Sequence, residues 1–339
     1  MRITARFLQR IGCVAVVLIA LHPVEPQAQE PTTGDDEVVK VNTDLLVYPI
    51  RVRDKRSPGG SSLTERDLII NDDDHAIAGR YLYPGADRVA LVFALDESGS
   101  LREIVSQQRE AALGLFGRFG ERSSVAVMRF AEQPSLVAPF GRDTASAGEA
   151  FRFPVKPNQH TAIFDAAAAA VRAFDSLPRF RSERRIVILI SDGLDNASTT
   201  KAGAAIKAAL EKQISFYVIH LPLFAPRDGH LAVRPPTKGF RDLAEKTGGK
   251  YFLVGDASDA LSLPESRSSN DLTPIFLAIE EDLRSQYLLG FYAAEASRDG
   301  RNHRLKVSLP AGVEYQVGSY RYSQTHEFLV KMSALTAIK

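Results

Sequence analysis

Over the middle of the chain, apolar runs of strand length alternate with amphipathic stretches of helical period. Val89-Ala90-Leu91-Val92-Phe93-Ala94-Leu95, Ile186-Val187-Ile188-Leu189-Ile190-Ser191 and Ile214-Ser215-Phe216-Tyr217-Val218-Ile219 are nearly continuous apolar runs. Such runs fit strands covered on both faces. Between them, Ile104, Ala111, Leu115 and Phe119 share one helical face, and Ile163, Ala166, Ala167, Ala170, Val171 and Phe174 share another. Residues 201–213 read as a third helix. Phe240 to Lys246 reads as a fourth, stopped by Thr247-Gly248-Gly249, with glycine where a helix commonly ends. Val125 to Phe130 and Ser135 to Phe140 read as a strand pair, and Lys250 to Val254 as a last strand. The alternation predicts an α/β domain with a mostly parallel, doubly wound sheet covered by helices on both faces.

The two ends of the chain follow a different grammar. Leu45 to Val52 and Asp67 to Ile70 carry strand character, separated by Pro58-Gly59-Gly60 and followed by the turn-forming Asn71-Asp72-Asp73-Asp74. The three aspartates lack the spacing of a calcium loop, which favours a hairpin turn. After a polar break at Glu265 to Asn270, Leu272, Ile275, Ile279 and Leu283 line one face of a final helix. That helix runs directly into Gln286-Tyr287-Leu288-Leu289-Gly290-Phe291-Tyr292, and Arg304 to Leu309 and Val313 to Val317 add hairpin signals.

Composition changes this picture little. The 339 residues are 45% hydrophobic, ample for one large or two modest cores, and 42 Lys+Arg against 41 Asp+Glu leave a net charge of +1. No global charge argument for nucleic acid follows. Arg179, Arg181, Arg184 and Arg185 form a local basic run, read as a solvated loop before a strand. The first ten residues hold three arginines and no acid, and Ile11 to Leu21 is apolar. This predicts a signal peptide over residues 1–28, too short to span a bilayer comfortably, with an uncleaved anchor as the alternative. Its Cys13 is the only cysteine of the chain. A chain without disulfides, exported to the periplasm or secreted by a bacterium, is the resulting expectation. No later run is long enough for a transmembrane helix.

The candidate chemistry sits where the first central strand ends. Asp96-Glu97-Ser98-Gly99-Ser100 places one carboxylate and two hydroxyls at the carboxyl end of a strand. Hard oxygen ligands of this kind suit Mg²⁺ or Mn²⁺, and strand ends in open α/β sheets are where ligands bind. Alone, the pattern equally suits a helix cap. Two further residues stand in compatible places: Thr161 before an Ala-rich helix, and Asp192, followed by Gly193, at the end of a second apolar strand.

Asp96, Ser98, Ser100, Thr161 and Asp192, in this order, resemble the metal-ion-dependent adhesion site (MIDAS) of the von Willebrand factor A (VWA) domain. The resemblance covers residues 88–286 and fills all five positions of the motif. It implies a divalent metal held directly by the Ser98 and Ser100 hydroxyls, directly or through water by Thr161, and largely through water by the two aspartates, with a position left open for an acidic side chain of a protein partner. The flanks, with Leu63-Thr64-Glu65-Arg66-Asp67 and Leu283-Arg284-Ser285-Gln286-Tyr287, resemble a bacterial, acidobacterial-type group of exported VWFA-related proteins. The expected organisation is a signal peptide (1–28), a flexible tether (29–40), an N-terminal β segment (41–84), the A domain (88–286), a C-terminal β segment completing a small β-sandwich (287–322) and a tail (323–339). His160, Asp195 and Asn196 neighbour the site and read as solvated loop residues. No nucleophile elbow, zinc-binding helix, Walker loop or dinucleotide fingerprint occurs, so no catalytic residue is assigned. A metal-dependent hydrolase and a structural-metal envelope scaffold are the alternatives to an adhesion module.

Overall fold

The computed structural model describes residues 45–54, 63–72, 75–78, 80–85, 88–98, 101–119, 121–153, 160–180, 183–255, 271–292, 302–310, 313–317, 320–323 and 325–331. The signal, tether, polar break and Ser100 of the sequence reading lie outside these residues. The described residues all fall in one unit of the chain, Thr43–Lys339.

Strands from the two ends of the chain interleave. β1 (Leu45–Asp54), β2 (Ile69–Asp72), β3 (His75–Ala76) and β4 (Arg80–Pro84) come first in the chain. β13 (Gln286–Tyr292), β14 (Asn302–Ser308), β15 (Val313–Val317), β16 (Tyr320–Ser323) and β17 (Thr325–Lys331) come last. They form two antiparallel sheets, in orders β16-β15-β1-β13-β4 and β17-β14-β2-β3. Ile50, Leu82, Leu289 and Phe291 of the first sheet share a buried cluster with Ile70 and Val307 of the second. Apolar side chains packed between the two sheets are what hold a sandwich of this size together. β17 pairs along the whole of β14, within the stretch 323–339 read from sequence as a tail.

Between β4 and β13 the chain builds a separate layered unit. β5 (Arg88–Asp96) leads to α1 (Arg102–Gln107) and α2 (Arg109–Gly117), then to β6 (Ser124–Phe130) and β7 (Pro134–Gly141). α3 (Thr144–Glu149), α4 (Ile163–Ala173), β8 (Glu183–Ser191) and α5 (Ala202–Glu211) follow. β9 (Ile214–His220), a hairpin of β10 (Phe224–Arg227) and β11 (His230–Val233), α6 (Phe240–Thr247), β12 (Tyr251–Leu253) and α7 (Thr273–Ser285) complete it. The sheet order is β12-β9-β8-β5-β6-β7, parallel except for the β6–β7 pair.

The apolar runs translate directly into two cores, because successive side chains of a strand point to opposite faces. Val89, Leu91, Phe93 and Leu95 of β5 pack with α1, α2, α3 and α7, while Ala90, Val92 and Ala94 pack with α4, α5 and α6. Phe276, Ile279 and Leu283 of α7 are buried in the first core, with the Phe276 ring edge-on to Phe93 at 6.3 Å. Each such side chain contributes about 2 kcal/mol by burial.

Two sequence expectations change here. Arg184 and Arg185 are not in a solvated loop: both are buried on β8. Arg185 donates to Glu183 at 2.8 Å and to the carbonyls of Leu177 and Pro178. The helix read continuously through Phe119 is two helices meeting at Gln108. The Gln108 side chain donates to Ile104 O at 3.1 Å and accepts from Leu272 N at 2.9 Å, so it tethers the start of α7.

Candidate metal centre

The layout of the sheet selects one place on its edge. From β5 the chain builds β6 and β7 on one side, and from β8 it builds β9 and β12 on the other. The helices after β5 and after β8 therefore cover opposite faces. The strand order reverses between β5 and β8, and ligands bind in the crevice outside such a switch point. Asp96 is the last residue of β5, and Asp192 directly follows Ser191, the last of β8.

The two strand ends are tied together. The Ser191 hydroxyl donates to Asp96 Oδ2 at 2.7 Å and accepts from Gly193 N at 3.2 Å. Ser98 N donates to Asp96 Oδ1 at 2.9 Å, and Leu194 N to Asp192 Oδ1 at 2.9 Å. Gly193 has φ +80, and a Cβ there would meet Pro236 Cβ at 2.7 Å. Glycine is thus required both by the backbone and by the close approach of the 236 loop. Thr161 is placed by the same loop: its N–H donates to Asn196 Oδ1 at 2.7 Å, and Asn196 N donates back to Thr161 O at 3.0 Å. Asp195 and Ser198 accept from Phe164 N at 3.1 and 2.9 Å, capping α4. Asp195 and Asn196 are therefore held by hydrogen bonds, Asp195 half-buried and Asn196 exposed, and His160 is exposed as well.

The structure thus brings Asp96, Ser98, Thr161 and Asp192 to one edge, all of them buried. Burial, opposed by the bonds from the Ser191 hydroxyl and the Ser98 N–H and reinforced by the nearby Asp192 charge, pushes the Asp96 carboxyl up to about 6. Burial also raises Asp192, against the Leu194 N–H bond and the field of Arg234. Ser98 Oγ is buried and makes no hydrogen bond. It stands close enough to favour ionised Asp96 slightly, the weakest influence on that group, but without bonding geometry. Two crowded carboxylates and an orphaned hydroxyl are costly in a folded protein and are relieved by a hard cation. The donor set fits Mg²⁺ or Mn²⁺.

Sequence reasoning missed the supports of this edge. Ser191 ties the Asp96 carboxylate to the backbone of Gly193, and the only hint was its place in Ser-Asp-Gly. His220 ends β9 beside it, with Nε2–H donating to Asp192 O at 2.8 Å and Nδ1 accepting from the Tyr251 hydroxyl. Burial lowers the His220 pKa, which keeps the neutral ring that this arrangement needs. No spacing in the sequence marks His220 as a neighbour of Asp192. Among the described residues, no group of three or more His, Cys, Asp and Glu side chains forms an alternative metal site.

A mostly parallel sheet with helices on both faces and oxygen-bearing side chains gathered at its switch point defines a class of α/β domains. Residues 91–194 match the family described as von Willebrand factor type A domain, and the chain carries such a domain. Among solved structures, it is similar to the conserved hypothetical protein BatB from Bacteroides thetaiotaomicron at 22% identity, over 57% of this chain and 96% of that one, with a TM-score of 0.43. It is similar to a von Willebrand factor type A protein from Catenulispora acidiphila at 14% identity, over 88% and 76% of the two chains, with a TM-score of 0.45. It is also similar to proximal thread matrix protein 1 from the mussel byssus, a structure with a zinc-occupied MIDAS motif, at 15% identity, over 63% and 50%, with a TM-score of 0.46. No curated protein sequence matches the chain.

Proposed function

We propose that this chain is an exported binding module that takes an acidic side chain of a protein partner through a divalent metal at the edge of its A domain. Asp96, Ser98, Ser100, Thr161 and Asp192 would hold the ion, Mg²⁺ or Mn²⁺. The observation that carries the reading is the buried Ser98 hydroxyl without a hydrogen-bond partner beside two carboxylates that burial pushes up. A bound divalent cation supplies an electrophilic centre to which a carboxylate oxygen can bind. The chain's own part is to orient that centre. Ser191 and the Ser98 N–H hold Asp96, the His220 imidazole holds the backbone of Asp192, and Asn196 holds Thr161.

A binding role is favoured over hydrolysis by the use made of His220. Both of its ring nitrogens are committed, to Asp192 O and to Tyr251, so it is not placed to serve as a base. Export rests on the basic and apolar N-terminal residues, and among the described residues no helix is long and apolar enough to cross a membrane. Calorimetry of the mature chain tests the reading: about one Mg²⁺ should bind per chain, and Asp96→Ala should remove most of that affinity. Equal binding by both proteins would reject it.

A further inference from the structure

The chain between β9 and α6 leaves the sheet on the same edge as Asp96 and Asp192, since β8 and β9 are parallel with Ser191 beside His220. It forms the β10–β11 hairpin, closed at its base by Arg234 N donating to Leu223 O at 2.8 Å. It then lies directly on the metal loop. Thr237 N donates to Gly193 O at 2.8 Å, Asp195 N donates to Thr237 Oγ1 at 2.9 Å, and Pro236 packs against Gly193. Arg234 and Lys238 flank this contact, and both are exposed. Among the described residues, neither side chain forms an ion pair or hydrogen bond, although the Arg234 charge is near enough to act on Asp192. At the hairpin tip Arg227 is matched by Asp228, 3.9 Å away, so the unmatched charge lies at the base, beside the candidate metal centre.

We propose that Arg234 and Lys238 form a cationic rim that selects partners presenting a second carboxylate next to the one that reaches the metal. The inference rests on the metal-dependent reading above and names the partner more closely: a protein segment with two neighbouring acidic side chains. Arginine suits the task because its planar fork can take a carboxylate through two parallel bonds. Among the described residues nothing occupies that fork, and a cation beside a cation site weakens metal binding unless an anion lies between them. A ligand with two carboxylates satisfies both charges at once, whereas a ligand with one leaves the rim unmatched. Charge complementarity of this kind sets which partner is chosen more than how tightly it is held.

The test uses the mature chain and an array of blocked hexapeptides carrying one aspartate, or two at varied spacing, in the presence of Mg²⁺. Wild type is expected to bind the best two-aspartate peptide about fivefold more tightly than the single-aspartate peptides, the order expected of an exposed charge pair. Arg234→Gln should erase that preference, Lys238→Gln should reduce it, and Arg234→Lys should retain part of it. Mg²⁺ affinity without peptide should be unchanged or tighter in Arg234→Gln, because a positive neighbour has been removed. A two-aspartate preference that survives in the Arg234→Gln, Lys238→Gln double variant overturns the rim and leaves the metal reading intact. So does metal-dependent binding with no preference in wild type. A preference that needs Arg234 but is indifferent to chelator keeps the rim and overturns the metal reading. Loss of Mg²⁺ binding in Arg234→Gln would show that Arg234 holds the loop instead, and overturns the proposal. No binding of any peptide by wild type up to millimolar concentration overturns both.

Discussion

Two clusters of buried charge sit at opposite ends of the central sheet, and they are built in opposite ways. At the carboxyl ends of the strands, Asp96 and Asp192 have only neutral hydrogen-bond partners and a hydroxyl, Ser98 Oγ, left without one. At the other end, Asp282 of α7 is fully supplied. Arg51 of β1 grips it with two bonds of 2.9 and 2.6 Å, and Lys250 Nζ lies at 2.8 Å. The Tyr217 hydroxyl and Gln286 Nε2 each donate to it at 2.7 Å. Arg184, buried behind Gln286, donates to its Oε1 at 2.9 Å. Burial would raise Asp282, but the hydrogen bonds and charge of Arg51, with the hydrogen bonds of Lys250 and Tyr217, bring it down to about 2. The same burial leaves Asp96 at about 6. Burial alone therefore does not separate a structural carboxylate from a functional one; the completeness of its partners does. Asp282 also joins the last helix of the A domain to a strand of the flanking sandwich through Arg51, so the partners of its carboxylate come from both.

The sharpest way to break this comparison is to empty the complete cluster. Asp282→Ala leaves the half-buried Arg51 and the buried Arg184 without their counter-charge and should cost about 3 kcal/mol in denaturant unfolding. A cost below about 1 kcal/mol would show that the cluster is solvated. At the other end the sign should reverse. Asp96→Asn removes a carboxylate that is raised in the fold, with the Ser191 hydroxyl turning to accept from the new amide. Ionisation of Asp96 begins to cost stability as pH rises past the unfolded value near 3.8, and costs its full amount above about 6. The metal-free variant should thus be more stable than wild type by about 3 kcal/mol at neutral pH and equal to it near pH 3.

Acid should expose the opposite behaviour of Asp282. Its folded pKa is depressed, so its contribution is complete above the unfolded value near 3.8 and is lost as pH falls toward about 2. About 2 kcal/mol should disappear over that window in wild type and not in Asp282→Asn, measured by unfolding at stepped pH. The smallest effect belongs to a support of the metal edge. Tyr251→Phe removes the hydroxyl that donates to His220 Nδ1 and should cost about 1 kcal/mol of stability with a few-fold loss of Mg²⁺ affinity. Unchanged metal affinity would mean that the backbone of Asp192 does not depend on the His220 tautomer.

The contrast between the clusters also marks what a sequence shows. The strands around Val89 to Leu95 and Ile186 to Ser191 were legible because burial on both faces demands unbroken apolar runs, and the residues at their ends inherit the switch point. Asp96, Ser98, Thr161 and Asp192 were legible for the same reason, each standing at the start or end of a periodic segment. Arg184 was misread because a buried arginine looks like any other in a basic run. What made it structural are Gln286 and Ser215, distant in sequence. His220 and Arg234 were invisible for a related reason: both act on Asp192 across a strand pairing and a loop contact. The β10–β11 hairpin lacked the strong alternation that announces a strand. A single carboxylate serving several distant donors, as Asp282 does, leaves no local pattern at all.

The central claim is that the Asp282 carboxylate is fully partnered by the protein alone and the Asp96 edge is completed by a metal. Stability measured with and without Mg²⁺, in wild type, Asp96→Asn and Asp282→Asn, tests it most directly. At a hundredfold excess of Mg²⁺ over its Kd, wild type and Asp282→Asn should each gain about 2.7 kcal/mol, whatever their starting stability, and Asp96→Asn should gain almost nothing. An equal gain in Asp96→Asn, or no gain in wild type, would contradict the account.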